Sequence, residues 1–119
     1  MNQKSIDMAK LVIEALEDKK AEDIRIIDIQ GVSSIADYFV IANGSNENQL
    51  NAMKDSVDEE MYKKGIHARQ IEGNVHSSWI LMDYQDVVVH IFSEEDRHFY
   101  DIERIWKDGK EITLEELSC

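Results

Sequence analysis

The sequence specifies an α+β domain with a single mixed β-sheet and flanking helices, in the order α-β-β-α-β-β-β-α. Three observations predict it. Apolar residues recur at helical spacing in separate segments. Runs rich in β-branched and aromatic residues alternate with those segments. Two such runs stand almost back to back around residue 85. A chain of 119 residues suits one domain over 1–119, large enough to bury roughly two-thirds of its unfolded surface. It holds no proline, so no rigid Pro-rich linker divides it.

The elements follow in chain order. Ile6, Ala9, Ile13 and Leu16, widened by Leu11 and Val12, predict an amphipathic helix over about residues 4–19. The β-branched run 24–29 ends near Gly31 and reads as a strand. Residues 37–42 read as a second strand, closed by Asn43–Gly44. Ser45 or Asn46 can cap a long helix to about Lys64 that buries Leu50, Met53, Val57 and Met61. Gly65 stands where a helix-ending glycine belongs. Residues 66–72 form a weaker strand, and 78–84 and 86–92 two strong ones. Ser93 reads as the N-cap of a last helix, with Glu94, Glu95 and Asp96 in the turn where the helix dipole favours acids. That helix carries Phe99, Tyr100, Ile102, Ile105 and Trp106 and ends at Gly109, leaving 110–119 as a peripheral tail.

The paired strands carry the functional reading. A tight turn through Tyr84–Gln85 sets Asp83 opposite Asp86, Leu81 opposite Val88 and Trp79 opposite His90. Alternation puts Ile80, Met82, Val87, Val89 and Ile91 on one wholly apolar face, the core side. Trp79, Leu81, Asp83, Asp86, Val88, His90 and Phe92 share the other. This second face is too apolar for a solvated surface and too polar for a core. Apolar patches with polar rims mark interfaces, and Trp is enriched at binding hot spots. The alternative is a helix that covers the face and buries Trp79. Tyr-Gln also suits a two-residue hairpin turn poorly, because such turns want positive φ.

Signals for chemistry are thinner. His90 with Asp83 or Asp86 could form an acid-base pair, but no Ser or Cys nucleophile is placed beside them beyond nearby Ser78. His67, His76, His90 and His98 lack metal-ligand spacing. Gly44–Ser45, between strand and helix, resembles the opening of nucleotidyltransferase folds. Those enzymes need two spaced carboxylates on the next strand, and 66–72 offers His67, Arg69 and Glu72 instead. Arg97 stands among acids and can pair with Glu94 or Asp101. The sequence therefore points to no catalytic set, cofactor or metal.

The formal net charge of −12 repels phosphate backbones and favours basic protein partners, so direct sequence-specific nucleic-acid binding is not expected. The lone Cys119 fits a reducing compartment, and neither a signal peptide nor a membrane-length apolar run is visible. A cytoplasmic protein with no membrane partner is expected.

Four stretches, ADYFVIANG (36–44), IEG (71–73), WILMDYQDVVVHIF (79–92) and RHFYDIERIW (97–106), resemble the ribosomal silencing factor, or Iojap-related, family. In this order they are specific, and the resemblance covers nearly the whole chain. It implies a fold related to nucleotidyltransferases without their active site. It implies binding to the large ribosomal subunit through its protein L-fourteen, which sterically blocks joining of the small subunit and represses translation. It carries the partner-binding role to Trp79, Leu81 and Asp83, and more loosely to Ser78, Tyr84, His90, Phe92 and Arg97. It also implies homodimers that use an overlapping surface. Two positions depart from the family's pattern: Gln85 where Gly is common, and Ser93–Glu94–Glu95 where a Pro is common. The competing readings are a divergent nucleotidyltransferase and a homodimeric interaction scaffold.

Overall fold

In the computed structural model, residues 3–31, 36–73, 79–94 and 109–118 are described. The expected 4–19 helix is α1, Gln3–Asp18. Its apolar stripe, Ile6, Ala9, Val12, Ile13 and Leu16, is buried as the spacing requires. β1 (Glu22–Asp28) and β2 (Tyr38–Gly44) follow, then α2 (Glu47–Lys63). Asn46 caps α2, its side chain accepting from the Gln49 N–H at 2.8 Å. The far end closes by a Schellman motif. Ile66 N donates to Met61 O and Gly65 N to Tyr62 O, with Gly65 at φ 75° where a Cβ would be strained. Gln49 also ties the two helices together, donating to the Lys19 and Lys20 carbonyls at the end of α1.

β3 (Gln70–Glu72), β4 (Trp79–Asp83), β5 (Val87–Ser93) and β6 (Lys110–Ile112) complete one mixed sheet in the order β3-β4-β5-β2-β1-β6. Among the described strands β2 and β5 run parallel, and the other pairs are antiparallel. Both long helices pack on one face. Leu50, Met53, Val57 and Met61 of α2 join the α1 stripe there against Val40, Ala42, Ile80, Met82, Val87, Val89 and Ile91. Each of those sheet residues lies on the parity that alternation assigns to the core.

Three expectations need correction. The strand expected over 66–72 shrinks to β3, because Ile66 N is spent on the α2 cap. The tail is not peripheral. Residues 110–112 extend the sheet as β6 beside β1, with Arg25 reaching Glu111 at 3.0 Å, and Leu114–Ser118 form a short helix, α3, that buries Leu117. Thr113 and Glu116 cap α3 reciprocally, the hydroxyl accepting from Glu116 N and the carboxylate from Thr113 N. The helix expected after Ser93 falls on 95–108, outside the described residues.

The third correction is the register of the β4–β5 hairpin. Trp79 stands opposite Phe92, Leu81 opposite His90 and Asp83 opposite Val88, each two residues on from the expected partner. The loop is Gln85–Asp86, because Tyr84 N still pairs with Val87 O. The Tyr84 ring is buried on the helix side, and its hydroxyl donates to Asp58 of α2 at 3.1 Å. Asp83 and Asp86 thereby avoid facing each other, which removes a like-charge pair. The strain moves to Gln85 at φ 74°, closed by Asp86 N to Tyr84 O in the positive-φ form of γ-turn. A Gln85→Gly change is expected to raise unfolding stability by about 0.5–1 kcal/mol. A denaturant midpoint at or below that of the parent chain would contradict this account.

Candidate functional site

Alternation along β4 and β5 places Trp79, Leu81 and Asp83 beside Val88, His90 and Phe92 on the face away from α1 and α2. The face assignment therefore survives the change of register, since a slip of two residues preserves parity. Its exposure does not survive as expected. Val88 and Phe92 join Ile27, Ile29, Ala36, Phe39 and Ile41 in a second buried cluster, with Trp79 and Leu81 half-buried beside it. The face has a dry centre on β1, β2 and β5 and a partly open margin on β4.

The aromatic groups at that margin are ordered. The Trp79 and Phe92 rings lie 5.4 Å apart with planes 20° from parallel, an offset stack. Trp79 Nε1 donates to His90 Nδ1 at 3.2 Å. Phe39 meets the His90 ring edge-on at 4.8 Å. An indole nitrogen can only donate, so Nδ1 supplies a lone pair and the imidazole proton resides on Nε2. His90 is 5 % exposed, and its Nε2 finds no hydrogen-bond partner among the described residues. Burial lowers its pKa from the ordinary 6.5 to about 4, so the ring is neutral near pH 7.

Asp83 is committed within the fold. One carboxylate oxygen accepts from Arg69 Nη2 at 2.8 Å and the other from Gln85 N at 2.8 Å. Its side chain is 14 % exposed. It fastens β3 and the turn to β4, and keeps only a margin for outside contact. Tyr84 lies on the opposite face, where burial and neighbouring Asp58 push its ionisation well up. Phe92, with no exposed area, and His90 form the floor under Trp79 rather than the surface itself. Ser78 and Arg97 lie outside the described residues.

Sequence reasoning missed Phe39, Arg69 and Gly73 at this site. Phe39 shares parity with Ile41 in the run 37–42, a signal that could have placed both on this face. Arg69 had no such signal, because its partner comes from the β3–β4 pairing. Gly73, at φ 98°, brings the chain so near β4 that a Cβ would stand 2.7 Å from the Trp79 carbonyl oxygen. That close approach explains a glycine after Ile71–Glu72.

The alternative chemistries lose their geometry here. His90 faces Leu81 and bonds Trp79, and Asp83 bonds Arg69, so the two do not form an acid-base pair. At the start of α2 the Ser45 hydroxyl donates to Glu22 at 2.7 Å and lies 3.4 Å from Glu94, which sets carboxylates where a nucleotide phosphate would have to approach. Among the described residues no three His, Cys, Asp or Glu side chains group as metal ligands. No described helix is long and apolar enough to cross a membrane.

Residues 2–118 match the family described as "Ribosomal silencing factor during starvation". A Bacillus subtilis protein named ribosomal silencing factor is 40 % identical over 109 residues, spanning 92 % of this chain and 91 % of that one. A mouse protein named "Mitochondrial assembly of ribosomal large subunit protein 1" is 30 % identical over 101 residues, covering 81 % of this chain but 43 % of its own length. A crystal structure from Chromobacterium violaceum superposes with a TM-score of 0.82 at 35 % identity, covering 90 % of this chain and 88 % of that one.

Proposed function

The chain belongs to the ribosomal silencing factor family, and from that premise we propose that it binds the large ribosomal subunit through protein L-fourteen and blocks joining of the small subunit. Family membership implies a regulatory factor with a ribosomal partner. The finer reading is carried by one observation: a half-buried Trp79 held against a buried floor of Phe92 and His90 at the margin of a rigid sheet. An aromatic anchor of this kind offers large contact area with little conformational freedom left to lose. Leu81 extends the apolar contact, and Asp83 supplies the polar edge. The net charge of −12 favours a basic protein surface over exposed RNA. The name of the mouse relative supports the large subunit as the partner. An obstructing footprint of about 800 Å² is within reach of a domain this size. The proposed setting is the cytoplasm.

Sedimentation with purified subunits tests the proposal. The chain should travel with large but not small subunits, and the yield of joined ribosomes should fall as it is added. Unchanged joining at saturating chain would refute it. Self-association through the same face would compete with the ribosome. Light scattering should then record dimers that dissociate when large subunits are added, and dimers that persist would favour a scaffold.

A further inference from the structure

We propose that His90 is a positioning residue: through its buried Nδ1 it holds the Trp79 indole in the one orientation that meets the ribosomal partner. This rests on the reading of Trp79 as the contact residue. Stacking on Phe92 restrains the plane of the indole, but a π-face contact has no preferred in-plane direction. A ring turned over about its Cβ–Cγ bond could stack on Phe92 as well. The N–H···N bond at 3.2 Å breaks that degeneracy, because only one ring orientation points Nε1 at Nδ1.

The setting of His90 argues that the acceptor is the reason for a polar residue at this position. Its neighbours in the fold are the buried Phe39, Ile41 and Phe92, and its strand partners are Leu81 and Ile41. An apolar side chain would fill such a place without leaving a buried N–H unsatisfied. His90 leaves Nε2 without a partner among the described residues, which costs stability. A group that destabilises through one nitrogen and directs a half-exposed anchor through the other is placed for orientation. Phe39, edge-on at 4.8 Å, and the flanking strands hold the imidazole still, so the bond has a fixed reference.

The test uses His90→Asn and His90→Leu in the full chain. Asn can present its amide oxygen near where Nδ1 stands; Leu has comparable size and no acceptor. Binding to purified large subunits is measured by pelleting, and the Trp79 indole N–H resonance is followed in the free protein, assigned by its loss in Trp79→Phe. His90→Leu is expected to shift that resonance upfield, speed its exchange with water and weaken binding by about ten-fold, as loss of one hydrogen bond predicts. His90→Asn should stay within about three-fold of the parent chain, a rescue that a merely space-filling role would not produce. Trp79→Phe removes the donor together with part of the contact area, so it should bind at least as weakly as His90→Leu even if that variant folds poorly. Parent-like binding by both His90→Leu and Trp79→Phe overturns the positioning role, as does an unmoved indole resonance in His90→Leu. Parent-like binding by Trp79→Ala as well overturns the reading of the face itself.

Discussion

A Trp79→Ala chain is expected to bind large ribosomal subunits at least about thirty-fold more weakly than the parent, a loss of some 2 kcal/mol or more. The size of the effect follows from where the ring stands. It is half-buried in the free protein, stacked on Phe92 and bonded to His90, so its remaining area is available to a partner. Truncation removes that area and exposes the aromatic floor to water. The same substitution removes contacts within the fold, so a fall in melting temperature is also expected. Removing a fully buried Trp costs about 3–5 kcal/mol, and a half-buried one less. Pelleting well below the variant's melting transition separates the two effects. Binding within about three-fold of the parent would contradict the assignment of Trp79.

Acid should destabilise the fold through His90. Its folded pKa is about 4 against 6.5 in an unfolded chain, so between those values the unfolded state takes up the proton first. The contribution of the neutral ring is fully present above about pH 6.5 and is lost as pH falls toward 4. Over that window the loss amounts to about 3 kcal/mol. Many carboxylates titrate near the lower end of the same range, so the comparison should be with His90→Asn, which keeps them and removes the imidazole. From pH 7 to pH 4 the parent chain should lose about that much more unfolding free energy than His90→Asn, measured in denaturant at each pH. Parallel curves would refute a buried neutral histidine.

How much of this was legible depends on the range of the interactions involved. The stripe of α1 and the caps of α2 are local, and Asn46, Gly65 and the spacing of Leu50, Met53, Val57 and Met61 announce them. The two faces of β4 and β5 are also local, because alternation fixes parity whatever the pairing. The register was not local. It depends on Gln85 accepting a positive φ and on Tyr84 reaching Asp58 in α2, a tertiary bond with no sequence signature. β6 was missed for a similar reason: a run as short as Lys110–Ile112 has no periodicity, and its pairing with β1 decides its state. Thr113 and Glu116 at capping-box spacing were a readable sign that order continued past Gly109. At the site, Trp79 and Leu81 could be picked out from composition and parity. The commitment of Asp83 to Arg69 and the burial of His90 under strands distant in sequence could not.

Both outermost strands of the sheet, β3 and β6, are three residues long, whereas the inner strands run to five or seven. A long bare edge next to an apolar face is the arrangement by which sheets recruit one another into fibrils. Here the edge beside Trp79 ends at Gly73, and Gln70 and Glu72 flank its exposed Ile71. So short a ladder is a poor template for further strands. Short, polar-flanked edges of this kind let a chain that carries the proposed aromatic contact accumulate without polymerising through its own backbone.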